Sequence, residues 1–211
     1  MNITKQLKKW KNSFGKEYTD RNSFSVAQLD NLYKKRYGLT RTKLNIDFIG
    51  KLNKKIKILE VGSNVGNQLL MLQKMGFKNL FGLEPLEYAV ELSKKRSIGI
   101  NIIQGSAFDI PFKDNYFDLV FTSGVLIHIN PKDIRKAMKE IYRCSNKYIW
   151  GFEYFSKKYQ EVNYRGEKNL LWKADFPRLY IQNFSDLKLI KVKYIKYLQD
   201  KNIDEMFILK K

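Results

Sequence analysis

Histidine and cysteine are almost missing from this chain of 211 residues, which has one of each, His128 and Cys144. A lone cysteine excludes a disulfide framework within the chain, and no Cys/His cluster stands at metal-ligand spacing, so no structural zinc is expected. No apolar stretch of 18 residues occurs, and the opening MNITKQLKKWKNSFGKEY lacks an apolar run of signal-peptide length. The chain therefore reads as cytoplasmic, with no membrane partner. Internal repeats and low-complexity tails are also absent. Acidic side chains are scarce, 21 Asp and Glu against 40 Lys and Arg, for a net charge of +19. What is present in quantity is apolar and aromatic: 44% hydrophobic residues, with 14 Phe, 13 Tyr and 3 Trp, enough for a sizeable core despite the charge.

A positive excess of this size invites a nucleic-acid reading, since Lys and Arg neutralise phosphates. It is discounted by its make-up, 32 Lys and only 8 Arg beside 17 Asn and 20 Ile, a bias that AT-rich coding produces. The excess is uneven, +10 over residues 1–55, +4 over 56–150 and +5 over 151–211. An anion-attracting face is thus expected to involve the N-terminal quarter.

Ser25 can cap a helix through VAQLDNLYKKRYG that ends at Gly38, and LNIDFIGKL gives a second; residues 1–54 read as an N-terminal helical cap of the same domain. From Lys55, in a domain read over residues 55–211, short continuous apolar runs alternate with helical segments as far as the fifth strand, the pattern of buried parallel strands joined by crossover helices. IKILEVG, NLFGLEP, INIIQG, YFDLVFTSG and KYIWGFEYF are the expected strands. QLLMLQKMG, a helix started by Pro85, and a helix opened by Asn130 and Pro131 lie between them. LKLIKVKYIKYL and IDEMFILKK, separated by the polar QDKN, read as a closing antiparallel hairpin. The expected fold is α/β: a Rossmann-like, seven-stranded, mostly parallel sheet with helices on both faces, a C-terminal antiparallel hairpin and the helical cap.

The chemically loaded segment is ILEVGSNVGNQ, a buried strand turning tightly into a helix. Gly62 and Gly66 lie where the backbone must bend and let a ligand approach, with Ser63 and Asn64 between them. The loop does not match the dinucleotide pattern GxGxxG. Glu60 would oppose a pyrophosphate but suits a cationic ligand such as an ammonium or a sulfonium. Glu84, followed by Pro85, ends the second strand, where an acid can accept both ribose hydroxyls of an adenosine. Ser106, Ala107 and Phe108 offer an adenine slot after the third strand, and Ser123 and Gly124 border the ligand after the fourth. All lie at carboxyl ends of strands, where open α/β sheets bind ligands.

With these residues the chain resembles the class I S-adenosylmethionine-dependent methyltransferases over roughly residues 55–155. The resemblance implies that Glu60, Gly62 and Gly66 form the first motif, Glu84 the ribose-binding acid, Ser106 to Phe108 the adenine-contacting turn, and Phe117, Asp118 and Val120 the fourth motif. It implies S-adenosylmethionine as cofactor, S-adenosylhomocysteine as product, and no metal. Two departures stand out: Asn64 replaces the middle glycine of E/D-x-G-x-G-x-G, though it can adopt left-handed geometry, and Ser106 replaces an Asp common in that family, leaving adenine recognition to backbone or Asp109. More narrowly, WKNSFGKEYTDRN, GSNVGNQL, SGVLIHINP, YRCSNKYI, EYF and YRG together resemble methylases associated with pseudaminic acid biosynthesis. That resemblance implies a small, anionic, sugar-related acceptor, a nonulosonic acid or nucleotide-sugar.

Methyl transfer is an in-line displacement, so orientation and water exclusion matter most, and a base only if the acceptor must lose a proton. His128 can be that base or a packed histidine holding backbone carbonyls. Glu153 and Tyr154, ending the fifth strand, can contact acceptor hydroxyls, while Glu153 can equally pair with a lysine. Tyr18 and Arg21 can fold over the donor, Arg21 taking its carboxylate, or belong to a solvated arm. Tyr164 and Arg165 can bind an anionic sugar. A small-molecule methyltransferase is the expected function. An RNA methyltransferase using the basic surface, for which no RNA-binding module or NPPY-type motif is found, and a non-catalytic cofactor-binding partner in a biosynthetic complex are the alternatives.

Overall fold

The computed structural model describes residues 4–211. Seven strands form one sheet in the order β3-β2-β1-β4-β5-β9-β8. They are β1 (Lys57–Val61), β2 (Asn79–Glu84), β3 (Asn101–Gln104), β4 (Phe117–Ser123), β5 (Ser145–Tyr154), β8 (Lys188–Lys196) and β9 (Ile203–Lys210). A separate two-stranded ribbon pairs β6 (Gln160–Tyr164) with β7 (Glu167–Lys173). The chain divides into two compact units, one ending at Ser106 and the other Ala107–Lys211.

In the first unit, β1 pairs in parallel with β2, and β2 with β3. Residues Ile58 to Val61 are buried without alternation, as a strand covered on both faces requires. Helices α5 (Asn67–Lys74) and α6 (Glu87–Arg96) follow β1 and β2. The cap contains α1 (Lys5–Trp10), α2 (Ser13–Arg21), α3 (Val26–Tyr37) and α4 (Arg41–Ile49). Helix α3 carries the features expected of it: Ser25 and Gln28 form a capping box, and Gly38 ends it in left-handed geometry. The second cap helix starts earlier than LNIDFIGKL, because Thr40 accepts from the Lys43 amide and draws Arg41 to Lys43 into the first turn.

In the second unit, β4 and β5 are parallel, and β9 runs antiparallel to both β5 and β8, so the terminal hairpin is present. At Gly151 of β5 a methyl group would sit 2.3 Å from the Phe207 ring of β9, so only hydrogen fits there. Helix α7 (Ile134–Cys144) buries Ile134, Ala137, Met138, Ile141 and Cys144 on one stripe. Burial pushes the Cys144 thiol up to about 11.

The structure corrects three further expectations. Helix α6 begins at Glu87, with Pro85 in the turn before it, and α7 begins at Ile134, because Asn130 to Asp133 form a turn of their own that precedes the helix. No helix separates β3 from β4. That connection is held instead by Arg143, whose guanidinium donates to the carbonyls of Ile110 and Phe112 at 2.8 Å and pairs with Asp114 and Glu140. Between Phe155 and β8, where no regular structure was expected, lie β6, β7 and α8 (Phe176–Asn183), the last capped by the Asp175 side chain.

Candidate functional site

The turn after β1 is built by three left-handed residues, Gly62 (φ 75°), Asn64 (φ 47°) and Gly66 (φ 79°). At Gly66 a methyl group would also lie 2.9 Å from Ile102. The amides of Gly62 and Ser63 donate to the Leu83 carbonyl at 2.7 and 3.1 Å, which ties the loop to the end of β2. Glu84 completes the frame: its carboxylate accepts from the amides of Asn64 (2.8 Å) and Leu86 (2.9 Å). Burial nevertheless raises Glu84 to about 7. Pro85 occupies the turn that follows, its carbonyl accepting from Gln104 at 3.2 Å. Ser106, just beyond β3, is half-buried.

Glu60 is 2% exposed. Burial pushes its carboxyl well above the usual range, with Arg41 opposing and Glu84 reinforcing the shift. Three buried polar atoms around this loop, Glu60 Oε2, Ser63 Oγ and Gln68 Oε1, have no hydrogen-bond partner among the described residues. Buried polar groups are normally satisfied, so unmatched atoms beside a glycine turn point to a ligand with complementary groups. A cation carrying hydroxyl and ammonium donors matches an acidic, acceptor-rich cradle of this kind.

Tyr18 packs edge-on against Trp10, with ring centroids 5.2 Å apart, and Arg21 pairs with Glu17 at 3.6 Å. The side chain of α2 that reaches the loop is Thr19, between them in sequence, which donates to Asn64 Oδ1 at 3.0 Å. The sequence reading passed over Thr19; the signal for it was the replacement of the middle glycine by an asparagine.

In the second unit, Ala107 and Phe108 are half-buried at its start. Ser123 and Gly124 end β4, with Gly124 left-handed (φ 68°) and open space where its side chain would be. Glu153 is 1% exposed, and its partners are backbone amides of the turn after β4: Val125 at 3.0 Å and Ile127 at 3.4 Å. Burial raises it to about 7 against the pull of the Thr122 hydroxyl and the amides of Val125, Leu126 and Ile127. Among the described residues Glu153 makes no lysine ion pair.

His128, at the end of that turn, donates from Nδ1 to the Leu170 carbonyl of β7 at 2.8 Å. Its ring lies 5.2 Å from Tyr164 of β6, so the one imidazole touches both strands of the ribbon. Burial lowers its pKa to about 4, the Leu170 bond opposing. Arg165 sits exposed at the ribbon's left-handed turn (φ 56°). Tyr154 stacks on Tyr197 at 5.7 Å, with Lys173 Nζ 4.0 Å above its ring. Among the described residues no group of three or more His, Cys, Asp or Glu is placed to hold a metal ion, and no helix is long and apolar enough to cross a membrane.

Residues 59–147 match the methyltransferase domain family. The chain is 23% identical to the phosphoethanolamine N-methyltransferase of Plasmodium falciparum over 186 residues, covering 77% of this chain and 69% of that protein. Its fold is similar to a Leishmania major S-adenosylmethionine-dependent methyltransferase, with a TM-score of 0.69, 18% identity and coverage of 98% of this chain and 86% of the other. It is also similar, at a TM-score of 0.64, 10% identity and coverage of 81% and 76%, to a Burkholderia thailandensis 1,6-didemethyltoxoflavin-N1-methyltransferase crystallised with S-adenosylhomocysteine. The sheet order, the domain match and these relatives support a methyltransferase that uses S-adenosylmethionine.

Proposed function

We propose that this methyltransferase acts by direct in-line transfer on a small, anionic, sugar-related acceptor, a nonulosonic acid or a nucleotide-sugar. The observation that carries the reading is the β6–β7 ribbon, which presents Tyr164 and exposed Arg165 and is held at both strands by His128. A tyrosine and an arginine that follow one another on one ribbon suit the face and the carboxylate or phosphate of one sugar. The narrower likeness to methylases associated with pseudaminic acid biosynthesis, carried by GSNVGNQL, SGVLIHINP and YRG, supports the same acceptor class.

In this reading the glycine loop seats the cofactor. Glu60, with Ser63 and Gln68, offers acceptors to its positive end, Asn64 and Gly66 shape the turn, and Glu84, whose carboxylate keeps lone pairs beyond its two amide bonds, takes the ribose hydroxyls. Pro85 and Ser106 flank the adenosine, and Ala107, Phe108, Ser123 and Gly124 are its proposed contacts in the second unit. When bound, the cofactor supplies a methyl group on a sulfonium. Glu153 holds the turn after β4 rigid through its amides, and Tyr154, Tyr164 and Arg165 orient the acceptor. His128 is neutral near pH 7 and takes up a proton poorly, so it serves as a hydrogen-bonding orienter, and the acceptor's proton leaves to water.

A labelled-methyl assay against nonulosonic acids, their CMP derivatives and total tRNA tests the proposal. Incorporation into a sugar acid or its CMP derivative is expected. Incorporation confined to tRNA, with binding that falls steeply with salt, would replace it with the RNA reading.

A further inference from the structure

We propose that Thr19 and Asn64 form a latch that clamps the helical cap onto the cofactor loop, making both positioning residues for S-adenosylmethionine. The proposal rests on the reading that the glycine loop is the cofactor's seat. Asn64 holds a left-handed conformation (φ 47°) that glycine adopts without cost and other residues rarely do. What asparagine adds there is a side chain, and that side chain accepts the Thr19 hydroxyl at 3.0 Å. The same residue's amide donates to Glu84 at 2.8 Å. One residue thus connects the cap, the glycine turn and the acid at the end of β2.

Thr19 is 1% exposed, on the inner side of a helix whose Glu17 and Asp20 face solvent. A second clasp lies on the other side of Gly66. Asn67, the first residue of α5, donates to the Asn22 carbonyl at 2.6 Å and accepts from the Phe24 amide at 3.3 Å, while Arg96 donates to the Phe24 carbonyl at 2.7 Å. Tyr88 of α6 donates to Asp20 at 2.7 Å. The cap is therefore anchored at positions 64 and 67, on either side of the left-handed Gly66. Displacing the cap must release the turn, and a loosened turn loses the geometry that seats the ligand.

Calorimetric titration of the full chain with S-adenosylhomocysteine tests the latch. Thr19→Val and Asn64→Gly are each expected to weaken binding about three- to tenfold, the worth of one part-buried hydrogen bond. The double variant should bind no worse than the weaker single one, because both changes remove the same bond. Thr19→Ser should restore wild-type affinity, and the loss in Thr19→Val should appear in the KM for S-adenosylmethionine. Wild-type affinity in Thr19→Val or in Asn64→Gly, or losses that multiply in the double variant, would overturn the latch. Glu84→Gln separates this failure from failure of the underlying reading. If it weakens binding while the latch variants do not, only the latch falls; if none of the three alters binding, the loop is not the seat.

Discussion

Replacing Glu153 by glutamine tests how the turn after β4 is held. The wild-type carboxylate is buried, accepts from Val125 and Ile127, and has its pKa raised to about 7 by burial. In the unfolded chain the same group ionises near its ordinary value, 4.5. Between these two values the folded chain keeps a proton that the unfolded chain gives up. The stability contributed by the acid form is therefore complete below about pH 4.5 and is lost as pH rises through about 7. The difference between the two values corresponds to about 3 kcal/mol. Glutamine does not ionise, so the variant loses this part of the pH dependence. Its NH2 cannot accept, so even with Oε1 in the place of Oε2, where it still accepts from Val125 and Ile127, the variant loses the second contact of the Val125 amide at 3.2 Å and disturbs the bond to the Thr122 hydroxyl, at a cost of about 1 kcal/mol. Urea unfolding followed by tryptophan fluorescence should show the variant less stable than wild type at pH 5, with the gap closing or reversing by pH 8. A gap of equal size at pH 5 and pH 8 would refute the reasoning.

Gly151→Ala should cost about 1–3 kcal/mol through overpacking, because the added methyl meets the Phe207 ring at 2.3 Å; unchanged urea stability would contradict this. Arg143→Met should destabilise by about 2–4 kcal/mol and speed hydrogen exchange at the Ile110 amide, since the carbonyls of Ile110 and Phe112 and the carboxylates of Asp114 and Glu140 lose their common donor. Stable, slowly exchanging protein would show that the β3–β4 connection is held elsewhere. With its pKa at about 4, His128 should leave no limb near pH 6.5 in kcat/KM, so wild type and His128→Asn should run parallel from pH 5.5 to 8. A wild-type limb that the variant lacks would restore His128 as the base.

The strands were legible where burial on both faces leaves an unbroken apolar run, as in Ile58 to Val61, and α3 was legible because Ser25, Gln28 and Gly38 mark both its ends locally. Helix α2 was not. It has few apolar positions, and Thr19 and Asn22 find partners at Asn64 and Asn67, some 45 residues further along the chain. The β6–β7 ribbon was hidden by polar strands and by left-handed backbone at non-glycine residues, Arg165 in its turn and Asn169 within β7. Within the site, the glycine turn is a local backbone requirement and can be read from Gly62 and Gly66. Whether Glu153 meets a lysine, an acceptor or backbone depends on amides 26 and 28 residues earlier, which no local pattern announces. The same holds for His128, whose partner carbonyl is 42 residues away.

Cys144 has a practical consequence. A buried thiol held at about 11 carries almost no thiolate at neutral pH and reacts slowly with maleimides and oxidants. With no other cysteine in the sequence, the wild-type chain is close to a cysteine-free background for labelling. A cysteine introduced at exposed Glu17 on α2 would be the chain's reactive thiol, so a fluorophore or spin label there could report in solution whether the cap moves when ligand binds.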